Sequence, residues 1–186
     1  MATRPLEVAE FNEIIKCAQN GARLENGKYF IRPNRRLALI CKLQASLGLR
    51  ICDILNLTYN NLKNGKLEII EKKTKKIQYR DVHEDVSALV RDWVIEKRLG
   101  PSAKILSITP RSVQKQLKII TEYLGLRNVS THSFRKMYAT LVYKKSAHNI
   151  ELLKELLNHS SIATTQRYIR VSQEDINSIS REMNFT

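Results

Sequence analysis

The chain is short of acid, of cysteine and of long apolar runs. Its 18 Asp and Glu face 32 Lys and Arg across 186 residues, leaving a net charge of +14. That imbalance favours a polyanionic partner, although basicity alone does not separate DNA, RNA and acidic membrane. The three cysteines, Cys17, Cys41 and Cys52, form no CxxC pair and sit in apolar helical stretches. They suggest neither a disulfide frame nor a zinc site, and read as reduced core thiols of a cytosolic protein. The opening stretch MATRPLEVAEFNEII lacks the apolar run of a signal peptide, and no apolar run is long enough to span a bilayer. Repeats, low-complexity tracts and Pro/Gly/Ser linkers are absent too. What is present, 42% hydrophobic and 27% charged residues, suits one soluble, intracellular globular domain with a sizeable core.

Helical spacing dominates. Leu6, Val8, Phe11, Ile14, Ile15 and Ala18 form a first apolar face, stopped by Gly21. Pro33 is placed as a first-turn residue before NRRLALICKLQASLG, with Leu37, Ile40, Leu43 and Leu47 as the buried stripe and Gly48 as the end. A sharp turn at LGLR leads to a short helix in RICDILNL. Between Lys66 and Val82 the runs KLEII and IQYRDV, joined by EKKTKK, predict a hairpin with a basic tip. Val86, Leu89, Val90, Trp93 and Val94 return to helical spacing and make Trp93 a core residue. Thr109 and Pro110 cap RSVQKQLKIITEYLG, which Gly125 closes. THSFRKMYATLVYKK and NIELLKELL follow, then SSIATTQRYIR, and finally SQEDINSISREM with Ser172 and Asp175 as a cap pair. The fold class expected is mainly α with a small antiparallel β-hairpin, an α+β domain.

Several residues invite a chemical reading. His132 and Arg135 lie three apart in HSFR, so one helical face can present both to an anion, or simply to solvent. NHSSIATTQRYI sets His159 nine residues before Tyr168. On one helix they would face opposite sides about 13 Å apart, so a shared site requires the chain to turn between them. Of the seven tyrosines, Tyr168 is the best candidate for a working hydroxyl: Gln166, Arg167 and Arg170 flank it, whereas Tyr138 and Tyr143 sit among Met137, Leu141 and Val142. EKKTKK reads either as a solvated turn or as a basic finger on a phosphate backbone. Arg50, set among Leu49, Ile51 and Ile54, should be partly buried and need an anion: Asp53 structurally, or a phosphate functionally.

GLRICDILNL, KKTKK in a hairpin, THSFRKMYAT and LLNHSSIATTQRYI, in that order and spacing, resemble the catalytic domain of the tyrosine recombinase (phage integrase) family from about Leu6 to Ile169. The resemblance implies that fold. It also implies catalytic roles for Arg50, Lys73, His132, Arg135 and His159 around the nucleophile Tyr168, with Asp53 in support. Lys72, Lys75, Lys76, Arg167 and Arg170 are then expected to contact DNA. Two positions depart from the family pattern: Asn158 stands where glycine is common, and Arg170 where a histidine often follows the tyrosine.

The function implied is site-specific DNA recombination, of integrase or invertase type, through a 3′-phosphotyrosine intermediate. Type IB topoisomerase-like relaxation is the neighbouring alternative, and a non-catalytic DNA-binding regulator the more distant one. Neither metal nor cofactor is expected. Expected partners are double-stranded DNA, three further copies in a homotetramer on that DNA, and DNA-bending accessory proteins, in a cytoplasmic, nucleoid-associated setting. Residues 1–186 read as a single catalytic domain, core about 6–170, without an N-terminal core-binding domain. The tail 171–186 carries Ile176, Ile179 and Met183 on one face, a stripe that either packs on its own domain or docks into a neighbour.

Overall fold

A computed structural model describes residues 3–23, 29–62, 64–169 and 173–183. Helix α1 (Val8–Asn20) buries Ile14, Ile15, Cys17 and Ala18 and ends at Gly21, φ +72°. Two short antiparallel strands follow, β1 (Ala22–Arg23) and β2 (Tyr29–Ile31), which the sequence reading lacked. Two- and three-residue strands are too short to show an alternation. Helix α2 (Arg35–Leu47) is capped by the Asn34 side chain, which accepts from the Leu37 N–H at 3.0 Å. Pro33 therefore lies just before the cap and not in the first turn, because Asn34 supplies the acceptor that helix entry needs. Burial of Ala38, Leu39, Cys41 and Gln44 beside the expected stripe follows from the position of α2, packed against α1, α5 and α6 together.

Gly48 ends α2 in left-handed backbone at φ +60°, and an added Cβ would come 2.3 Å from the Tyr138 ring. Both facts demand glycine at this corner. Helix α3 (Ile51–Ile54) is short, and the hairpin of β3 (Lys66–Ile70) and β4 (Ile77–Asp81) pairs Lys66 with Asp81 through to Ile70 with Ile77. Leu67, Ile69 and Gln78 face inward, while Ile70, Ile77 and Tyr79 face out.

Helix α4 (Glu84–Glu96) carries Trp93 against the core, its Nε1 donating to the Ile105 carbonyl at 3.0 Å. Helix α5 (Pro110–Tyr123) starts as read, with Thr109 accepting from the Ser112 N–H. Helix α6 (Thr131–Lys145) opens on a reciprocal Ser130–Ser133 capping box. Then come α7 (Ile150–Leu156), α8 (Ile162–Gln166) and α9 (Gln173–Glu182). Ser172, and with it the expected Ser172–Asp175 cap pair, lies outside the described residues.

One core runs from Leu6 to Met137, and a smaller one of Ala139, Leu153 and Leu157 underlies Tyr168. Cys17 and Cys41 are buried, and burial pushes the Cys41 thiol up to about 12. Cys52 is only half-buried, because α3 is a single turn at the edge of the core. Ile176 and Ile179 on α9 and Met183 just after it are exposed, so this stripe is not buried on its own domain. Among the described residues no helix is long and apolar enough to cross a membrane, and no group of three His, Cys, Asp or Glu could hold a metal. The architecture is mainly helical with two small antiparallel sheets.

Candidate active site

Arg135 projects from the first half of α6 into full burial. Its Nη1 donates to the Gly48 carbonyl at 2.6 Å, and its Nη2 to the Leu157 carbonyl at 2.7 Å. Those carbonyls belong to the C-caps of α2 and α7, where unsatisfied acceptors and the negative helix ends favour a cation. Among the described residues Nε has no partner, so one buried donor of the guanidinium is left unsatisfied. Burial, and next the charge of Arg50, bring the Arg135 pKa down to about 10, so the guanidinium stays charged at neutral pH.

The turn demanded by the spacing of His159 and Tyr168 is present. Helix α7 gives way to Asn158, φ +54°, and α8 restarts with Ser161 accepting from the Thr164 N–H. Asn tolerates this left-handed conformation better than most residues. His159 is buried between Arg135 Nη2, 3.1 Å from its Nε2, and Thr165 Oγ1, 3.1 Å from its Nδ1. Arginine only donates, and the Thr165 hydroxyl donates to the Ser161 carbonyl. The network therefore assigns the proton of His159 to Nδ1. Burial, then the charges of Arg135 and Arg50, bring its pKa down to about 4, and the ring is neutral at pH 7.

Tyr168 follows α8 and tilts at 54° over the His159 ring, centroids 4.9 Å apart. Its ring lies 5.7 Å from Arg135 Cζ and 6.0 Å from Lys136 Nζ. In this state His159 Nε2 is an acceptor for Arg135. Donation from Nε2 to a phosphate requires His159 to release Arg135 and to carry a proton on that nitrogen.

Arg50 is the N-cap of α3, and its partner is not Asp53 but Glu71, whose Oε2 accepts from Arg50 Nη1 at 2.7 Å. At the cap the backbone is extended (ψ 150°), so Arg50 leaves the helical face that carries Asp53. Asp53 is buried and accepts instead from the Lys72 N–H at 2.8 Å, leaving its Oδ2 unpartnered. Sequence reasoning missed Glu71, although it is the one acid in EKKTKK.

Lys73 is exposed in the hairpin turn, as are Lys72, Lys75 and Lys76. His132 lies in the first turn of α6 with its outer edge in solvent. Crowding by the site, then the charges of Arg135, Lys136, Arg50 and Lys73, hold it below the ordinary histidine range. The fold thus brings Arg135, His159 and Tyr168 into contact and sets Arg50, His132 and Lys73 in the same field. Arg167 is exposed just after α8, and Arg170 lies outside the described residues. Glu71 is engaged through both oxygens and Asp53 through one, so the charge gathered around Arg135 and Arg50 is mainly positive and suits an anion.

Residues 5–175 match the phage integrase family. The tyrosine recombinase XerC of Actinobacillus succinogenes is 30% identical over 138 residues, covering 68% of this chain and 46% of the relative. The probable integrase/recombinase YoeC of Bacillus subtilis is 26% identical over 153 residues, covering 79% and 84%. Among solved structures, XerH bound to its palindromic difH substrate superposes with a TM-score of 0.72 at 22% identity, over 95% of this chain and 51% of that one. The catalytic domain of bacteriophage HP1 integrase does so with a TM-score of 0.67 at 18% identity, over 96% and 94%. These likenesses concern the fold. The chain spans less than half the length of the XerC relative it matches. It belongs to the phage integrase family of tyrosine recombinases.

Proposed function

We propose that this chain cuts and rejoins DNA at specific sites through a 3′-phosphotyrosine intermediate. The observation that carries the proposal is the contact of Tyr168 and His159 with a fully buried, charged Arg135. A phosphodiester is a poor electrophile, and attack on it needs donors that hold the extra charge of a five-coordinate transition state. Arg50 supplies them with the free edge of its fork, and Arg135 with its buried charge and its one unpartnered donor, Nε. The Tyr168 oxygen bonds to phosphorus as the bond to the 5′ oxygen breaks. His132, kept neutral by its lowered pKa, takes the tyrosine proton, and Lys73 gives one to the leaving oxygen. The phosphotyrosine conserves the bond energy for religation to a new 5′ hydroxyl.

In this reading Lys72, Lys75, Lys76, Arg167 and Arg170 contact the phosphates of double-stranded DNA. The exposed apolar stripe of α9 supports assembly of four copies on that DNA, with accessory bending proteins helping to fold it. A cytoplasmic, nucleoid-associated location follows from the substrate. The test is a nicked suicide duplex bearing inverted repeats from beside the coding region. The wild-type chain should give an SDS-resistant DNA adduct and Tyr168→Phe none, and an adduct with Tyr168→Phe would remove Tyr168 as nucleophile. Relaxation of supercoils without strand exchange would decide for topoisomerase-like action. Footprinting without covalent attachment would decide for a regulator.

A further inference from the structure

Glu71 is a fully buried acid inside a basic turn. Its Oε2 accepts from Arg50 Nη1 at 2.7 Å and from Thr74 Oγ1 at 2.6 Å, and its Oε1 from Gln78 Nε2 at 3.1 Å. Its backbone closes the same turn: the N–H donates to the Lys76 carbonyl at 3.0 Å, and the carbonyl accepts from the Lys75 N–H at 2.9 Å. Gln78 Nε2 also reaches the Leu156 carbonyl, at 3.3 Å, which ties the hairpin to the helix that leads into His159. One carboxylate therefore links the α2–α3 corner, the hairpin and the turn that presents Lys73.

Stability does not account for this arrangement. Burying a carboxylate and a guanidinium costs desolvation that their attraction only partly offsets, and an apolar pair of similar volume is often as stable. What the ion pair adds is direction. Glu71 holds Arg50 by Nη1, and among the described residues no other acceptor takes the rest of its donors, so one edge of the fork remains for a phosphate.

We propose that Glu71 is a positioning residue that locks Arg50 and the Lys73 turn into one unit, so that the cation on the phosphate and the proton donor to the leaving oxygen arrive together. This rests on the recombinase reading above. In the cleavage step the Tyr168 oxygen–phosphorus bond forms, the phosphorus–O5′ bond breaks, and O5′ takes its proton from the Lys73 ammonium. Gln at position 71 keeps one acceptor oxygen for Arg50 but not the second, which binds the hairpin through Gln78, so Glu71→Gln should harm chiefly the protonation of the leaving group.

The experiment uses the whole chain and two suicide duplexes, one ordinary and one with a 5′-bridging phosphorothiolate, whose sulfur leaves as a thiolate without needing a proton. On ordinary DNA, Glu71→Gln should slow single-turnover adduct formation by about 10- to 100-fold, the scale of a small misplacement of a reacting group. On the sulfur substrate it should react within about threefold of wild type, a difference of well under 1 kcal/mol. DNA affinity should be unchanged, and Lys73→Ala should give the same pattern.

Thr74→Val cuts one link to the turn while leaving the Arg50–Glu71 pair in place. It should show a smaller loss with the same sulfur rescue, and it guards against misfolding of Glu71→Gln. Variants that match wild type on ordinary DNA, or a loss that sulfur does not rescue, would overturn the coupling alone. A wild-type chain that forms no adduct with either duplex would overturn the recombinase reading, and this inference with it.

Discussion

Arg135 donates to His159 Nε2 at 3.1 Å from a position in which its guanidinium already holds the carbonyls that end two helices. The cation, the histidine tautomer and the bridge between the ends of α2 and α7 are thus one arrangement. Disturbing one member should be felt by the others.

Removing the Arg135 side chain leaves the Gly48 and Leu157 carbonyls and His159 Nε2 without their donor. Arg135→Ala should lower unfolding free energy by about 3 kcal/mol, the range seen when a buried charged partner is deleted. Arg135→Lys should recover only part of that loss, because an ammonium cannot span acceptors set for a planar fork. Urea denaturation of the three proteins checks both statements, and neither variant should form the DNA adduct.

The lowered pKa of His159 fixes the sign of a pH effect. The unfolded chain takes up a proton near the ordinary histidine value, whereas the folded chain does so only at about pH 4. This histidine therefore leaves stability untouched above about pH 6.5 and erodes it as the pH falls toward 4, by at most about 3 kcal/mol. The stability gap between wild type and His159→Gln should narrow over that window, as read by thermal unfolding at pH 7, 5.5 and 4.

Tyr168→Phe should separate chemistry from folding. Among the described residues no hydrogen bond holds the Tyr168 hydroxyl, and the ring alone packs on Leu153, Leu157 and His159. Loss of the hydroxyl should shift stability by less than about 0.5 kcal/mol while abolishing the adduct. Circular dichroism melts and the suicide substrate measure the two effects.

Backbone conformation sets two further outcomes. Asn158 sits at φ +54°, so Asn158→Gly should be neutral or mildly stabilising, whereas Asn158→Val should cost about 1–3 kcal/mol through left-handed strain. Gly48→Ala should be worse, since it combines φ +60° with a Cβ 2.3 Å from the Tyr138 ring. Chemical denaturation ranks the three.

The sequence by itself determined the elements whose signals are local. Helical spacing and caps such as Thr109 at α5 mark the helices, because hydrogen bonds four residues apart and side chains three apart are written into neighbouring positions. Strand alternation marked the β3–β4 hairpin, and the nine-residue gap between His159 and Tyr168 required the turn that is found. Only the tertiary structure decided the partners. Arg50 chose Glu71, 21 residues away, over Asp53, and Arg135 found the Gly48 carbonyl 87 residues away. The strands β1 and β2 are held by each other and too short to announce themselves. Which nitrogen of His159 carries the proton follows from Thr165 and Arg135 meeting it from opposite sides. The reason is physical: a side chain's type fixes what it can donate or accept, but its partner is fixed by which distant backbone ends the packed helices bring within 3 Å.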